Sequence, residues 1–66
     1  MEELKRLRIA KQLTRKALAE DLGMDPETIA RYERGSASPT GKTLMRLSEI
    51  LKTTPNDLLG WKEGKE

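Results

Sequence analysis

The sequence predicts an all-α fold of five short helices in one small domain. Three observations carry that expectation. Apolar residues recur at helical spacing, as in Leu44, Leu47 and Leu51 with small Ser48 on the same stripe. Cap-and-stop signals divide the chain: Thr14, Asp25-Pro26, Thr40 and Thr54-Pro55 open segments, and Gly23, Gly35 and Gly60 close them. No segment alternates apolar and polar residues as a half-buried strand would. At 66 residues the chain holds one domain, which buries about 60% of its unfolded surface. Such a core supplies about 3–5 kcal/mol of net stability.

The elements follow in order. Leu4, Leu7, Arg8 and Lys11 keep helical spacing, so the first helix covers about 2 to 11. Leu13 packs between elements. Thr14 caps a second helix over about 15 to 22. Gly23 follows, where the backbone must leave that helix in a left-handed conformation that costs glycine least. Asp25 caps the third helix, about 26 to 34, with Pro26 at a first position that needs no N–H. Gly35 stops it. Ser36-Ala37-Ser38-Pro39 is a polar loop closed by proline. Thr40 then caps a fourth helix over about 41 to 51. A short fifth helix, about 55 to 59, starts at Thr54-Pro55, with Asp57 placed to reach back as in a capping box. The domain is expected to span 1–60, with 61–66 a short charged tail.

Composition excludes several function classes. Cysteine and histidine are both absent. The chain has no disulfide and no thiolate metal site, and it lacks the usual zinc ligand and general base. No catalytic group, metal site or cofactor is expected, and no small-molecule ligand is evident. Hydrophobic residues make up 35% and charged residues 36%, which leaves no membrane span. The start, MEELKRLR, has no apolar run of a signal peptide, so the expectation is a soluble, cytoplasmic protein. The net charge is +2. Its distribution is more telling: Lys5, Arg6, Arg8, Lys11, Arg15 and Lys16 crowd the first quarter. That run fits a phosphate-binding face or simply a solvated one.

The most specific stretch is Arg15 to Arg34. Its two helices share apolar Leu18, Leu22, Met24, Ile29 and Tyr32. Small Ala19 stands where the helices must nearly touch, and Gly23 follows four residues later. This is the pattern of a helix-turn-helix, which offers its second helix to the DNA major groove. An ordinary α-hairpin in a small bundle is the plainer alternative that apolar spacing alone would allow.

The rest of the chain extends the pattern. It opens Leu4-x-x-Leu7-Arg8 and continues Leu13-Thr14-x-x-x-Leu18-Ala19-x-x-Leu22-Gly23. It runs on as Thr28-Ile29-x-Arg31-Tyr32-Glu33-x-Gly35, Pro39 and Thr43-Leu44-x-x-Leu47, and closes Asp57-Leu58-Leu59. Over residues 4 to 59 this resembles the DNA-binding domain of the Cro/CI-type, Xre-like repressors of bacteria and phages. No insertion is needed. The resemblance implies a compact five-helix, lambda-repressor-like domain and a repressor that binds double-stranded DNA. It also implies a homodimer on a near-palindromic operator.

The same resemblance assigns roles. Pro26, Glu27 and Arg31 fall on base-reading positions; Asp25 and Ala30, also on the first two turns of the reader helix, are expected close to base edges. Arg31 is the strongest candidate, because one guanidinium reaches guanine O6 and N7 together. Glu27 stands four residues before it, the favourable order for an ion pair, and is read either as holding Arg31 or as accepting from cytosine. Thr14, Arg15, Arg34, Ser36, Thr40, Lys42 and Thr43 sit at helix starts and loops suited to phosphate. Arg8 and Glu33 fall on inward sides of their helices, and in the family the matching residues form an internal ion pair. Pro55, Leu58, Leu59 and Trp61 lie where the family places its dimer surface. Three positions depart from the family pattern. Pro26 replaces a hydroxyl or amide, Arg15 replaces glutamine, and Gly41 replaces an apolar residue. An antitoxin or co-regulator, using the same fold for protein contacts without reading DNA, is the alternative function.

Overall fold

The computed structural model describes residue 1 and residues 3–60. Trp61 and the rest of the expected tail lie outside the described residues. The chain forms α1 (Leu4–Ala10), α2 (Arg15–Leu22), α3 (Pro26–Arg34), α4 (Gly41–Leu51) and α5 (Pro55–Leu59), with no strand among the described residues. The last four match the ranges read from the sequence. The first is shorter than 2–11. Gln12 adopts φ 60°, and its N–H donates to the Ile9 carbonyl at 2.8 Å. That turn redirects the chain before Leu13.

The helix starts have clear local causes. The hydroxyls of Thr14, Thr40 and Thr54 accept from the backbone N–H groups of Ala17, Thr43 and Asp57. Each satisfies a donor that the first turn otherwise leaves free. Asp25 departs from expectation, for its side chain makes no capping bond. The N–H of Thr28 instead donates to the Asp25 backbone carbonyl at 3.0 Å, and Pro26 fixes the entry angle. The donor that a cap would have served is already taken. Asp57 also differs from the capping-box expectation. Its carboxylate accepts from the Thr53 hydroxyl at 3.3 Å rather than from the cap backbone. Aspartate is one methylene shorter than the glutamate of that motif.

Gly23 has φ 71° and ends α2, its N–H bonded to Ala19 and Glu20 carbonyls. The left-handed turn sends α3 back across α2, and these two helices share the most extensive contact in the molecule. One core results. Leu4, Leu18, Ala19, Ile29, Tyr32, Leu47, Leu51 and Leu58 are buried together, so every helix contributes. Burying each such leucine or isoleucine is worth about 1.5–3 kcal/mol. Leu7, Leu13, Leu22, Met24 and Leu44 pack around the edge. Ser48 is buried within α4 and donates its hydroxyl proton to the Leu44 carbonyl at 2.9 Å. Arg46 reaches from α4 to the Asp21 carbonyl at 3.0 Å. There its charge meets the negative end of α2.

Candidate nucleic-acid interface

The third helix has two distinct faces. Ile29, Ala30 and Tyr32 point into the domain, while Pro26, Glu27, Arg31 and Arg34 are exposed. Positions 27, 31 and 34 are spaced by four and three residues, so they form one outward stripe. Ala30, expected near the base edges, is only 8% exposed. It follows Ile29 on the inward side of the helix and has no long side chain to reach outward.

On the outward stripe one carboxylate serves two guanidiniums. Glu27 Oε2 accepts from Arg34 Nη2 at 3.1 Å and lies 3.8 Å from Arg31 Nε. The expected Glu27–Arg31 pair is therefore the looser of the two, too long for a hydrogen bond. All three side chains are more than half exposed. Pairs this open to water contribute little to stability.

A second cluster is largely buried. Glu33 Oε2 accepts from Arg8 Nε at 2.7 Å, and Glu33 Oε1 accepts from Arg15 Nε at 2.9 Å. Arg8 Nη1 also donates to the Leu13 carbonyl at 2.7 Å. The Glu33 side chain is 4% exposed and that of Arg8 9%, against 44% for Arg15. Arg8 thus fastens α1 to α3 and to the loop before α2. Arg15 was expected only as a phosphate contact, and its share in this carboxylate had no signal in the sequence. Residues 18 apart on two helices reveal such a pairing only once the turn is built. The pairing brings the start of α2 beside the end of α3, where Arg34 and Ser36 lie.

The other expected positions fall as follows. The Thr14 hydroxyl is occupied as a cap, and Ser36 donates to the Arg31 carbonyl at 3.4 Å. Thr40 and Thr43 bond each other at 3.3 Å. Lys42 is exposed on the first turn of α4. Among the described residues, no hydrogen bond joins Thr40, Lys42 or Thr43 to the cluster at Glu33. Leu58, expected on a partner surface, is instead a core residue with no exposure. α5 is a single short turn, and Leu58 is the side chain that anchors it to the domain. Leu59 is 49% exposed and Pro55 half-buried. Trp61 lies outside the described residues. No helix among the described residues is long and apolar enough to cross a membrane.

Comparison with known proteins yields consistent matches. The family model described as Helix-turn-helix matches residues 4–58. The chain is 36% identical over 53 residues to the HTH-type transcriptional regulator DicA of Escherichia coli (strain K12), covering 80% of this chain and 39% of that protein. It is 40% identical over 58 residues to the uncharacterized HTH-type transcriptional regulator YqaE of Bacillus subtilis (strain 168), covering 88% and 50%. The SPbeta prophage-derived uncharacterized regulator YonR of the same strain is 38% identical over 58 residues, with 88% and 54% covered. The chain thus spans about half or less of the length of these relatives. No solved structure matches it.

Proposed function

The chain belongs to the helix-turn-helix family, and on that premise we propose that it is a sequence-specific DNA-binding transcriptional regulator. It acts as a repressor, a homodimer on a near-palindromic operator. The observation that carries the reading is the division of α3 into two faces. Ile29 and Tyr32 are committed to the core, while Pro26, Glu27 and Arg31 remain exposed. A rigid helix with a free polar face is what major-groove readout requires. Arg31 is the principal base reader, and Pro26 adds apolar contact of the kind a thymine methyl accepts. Arg15, Arg34 and Lys42 neutralise phosphates, with Thr14, Ser36, Thr40 and Thr43 at their sides.

Selection from a random duplex library with the purified chain tests this directly. A single enriched motif with two related half-sites is expected. Arg31→Ala should weaken the selected site far more than random duplex. Lys42→Ala should weaken both about equally and flatten the salt slope by about one unit. An unchanged ratio of selected to random affinity in Arg31→Ala would remove Arg31 as the reader.

One observation favours the second reading, a protein-contact module on the same fold. Glu27 lies between Arg31 and Arg34 and neutralises part of the stripe. A library selection that enriches nothing would favour that reading.

A further inference from the structure

The cluster at Glu33 does more than hold helices together. We propose that Glu33 is a positioning residue for DNA binding: its buried carboxylate grips Arg15 by Nε and leaves the two terminal nitrogens of that guanidinium for a phosphate. The inference rests on the DNA-binding reading above and adds a residue that never touches DNA.

Three features point to it. The first is the division of labour on the carboxylate. Oε2 is committed to buried Arg8 and Oε1 to Arg15 Nε at 2.9 Å. Among the described residues, the Arg15 side chain makes no other hydrogen bond. A guanidinium carries five donors in a rigid planar fork, so fixing Nε fixes the direction of the rest. The second is charge. Two cations share one anion, so one positive charge is left over. Arg8 is nearly covered while Arg15 is 44% exposed, so that charge reaches solvent at Arg15. The third is anchorage. Glu33 is 4% exposed and belongs to the last turns of α3, so the grip on Arg15 is tied to the helix proposed to read bases. Phosphate contacts set the register of a protein on its duplex. A phosphate contact hung from the reader helix keeps that register and the base contacts in one rigid frame.

The proposal makes an unusual prediction of sign. Glu33→Gln removes a negative charge, and simple electrostatics would then tighten DNA binding. Positioning predicts weaker binding. The probe is a random-sequence 30-base-pair duplex at low salt, read by fluorescence anisotropy with the full 66-residue chain. Glu33→Gln should weaken binding about three- to tenfold, as expected for one lost hydrogen bond. In an Arg15→Ala background the same substitution should bring no further loss. Arg15→Lys keeps the charge but has no planar fork, so an ammonium paired with Glu33 leaves no fixed pair of donors for a phosphate, and this variant should bind more weakly than the parent.

Circular dichroism on each variant identifies any that does not fold. Should Glu33→Gln fail to fold, the Arg15→Lys arm decides alone. Tighter binding by Glu33→Gln in both backgrounds, or parental affinity in Arg15→Lys, would overturn the positioning role while leaving DNA binding intact. A parent chain that does not bind the duplex at all would overturn the functional reading, and this inference with it.

Discussion

Glu33 shows how much a single side chain carries in a domain of this size. Its carboxylate is the sole acidic partner of Arg8 among the described residues, and Arg8 is almost wholly buried. Truncation to Glu33→Ala strands that charge, at a cost of about 3–5 kcal/mol. That is comparable to the whole stability such a core supplies. Arg15→Ala loses only a half-exposed arm of the same cluster and should cost no more than about 1 kcal/mol. Thermal melting of the two variants checks the asymmetry, and equal midpoints would mean that Arg8 is not dependent on Glu33. At this scale the sequence was partly legible. The resemblance pointed to Arg8 and Glu33 together, because both occupy inward helical positions. It did not point to Arg15 as a second partner, nor to Arg34 as the nearer partner of Glu27. Both depend on side-chain reach between turns, which residue spacing does not determine. Ala30 was misplaced for a related reason: one residue step along a helix is about 100°, enough to move a side chain from the groove face to the core.

The helices themselves were legible because their boundaries are written in local chemistry. Three threonine caps, two N1 prolines and three left-handed glycines mark α2, α3 and α5 at both ends and α4 at its start. The end of α1 was not marked, and Gln12 turns there with a positive φ that no glycine announces. Lys52 ends α4 in the same way, at φ 54°. Two glycines allow a controlled test of what the backbone alone contributes. A Cβ at Gly23 or at Gly41 would meet nothing within 4 Å, so sterics with neighbours play no part. Gly23 holds φ 71°, and Gly41 starts α4 without a positive φ. Gly23→Ala should therefore destabilise by about 1–2 kcal/mol, the cost of a left-handed L-residue. Gly41→Ala should stabilise by about 0.4–1 kcal/mol, because it restricts the unfolded chain without straining the folded one. Chemical denaturation of the pair reads opposite signs. A destabilised Gly41→Ala would show that the start of α4 needs the freedom of glycine.

At the scale of the whole molecule, the proposed function asks more than one reader helix can give. A single α3 covers few base pairs, and two copies about 34 Å apart would meet successive turns of the major groove. The sequence placed the partner surface on Pro55, Leu58, Leu59 and Trp61. The fold divides that set. Leu58 is consumed by the core, whereas Leu59, one residue on, is 49% exposed. Adjacent leucines on one short helix thus differ sharply in exposure, which an apolar pattern alone cannot separate. This gives the dimer proposal a sharp internal control. Leu59→Ser removes an exposed apolar side chain and should lower the dimer fraction in sedimentation while leaving helicity intact. Leu58→Ala empties a core site and should cost about 2–5 kcal/mol, so it lowers helicity and melting temperature whatever the oligomeric state. Trp61→Ala tests the remaining anchor expected from the sequence, since tryptophan is enriched where interfaces bury aromatic side chains. If Leu59→Ser and Trp61→Ala both sediment as the parent does, α5 and the residues after it are not the partner surface. A parent chain that itself sediments as a monomer would remove the proposed homodimer.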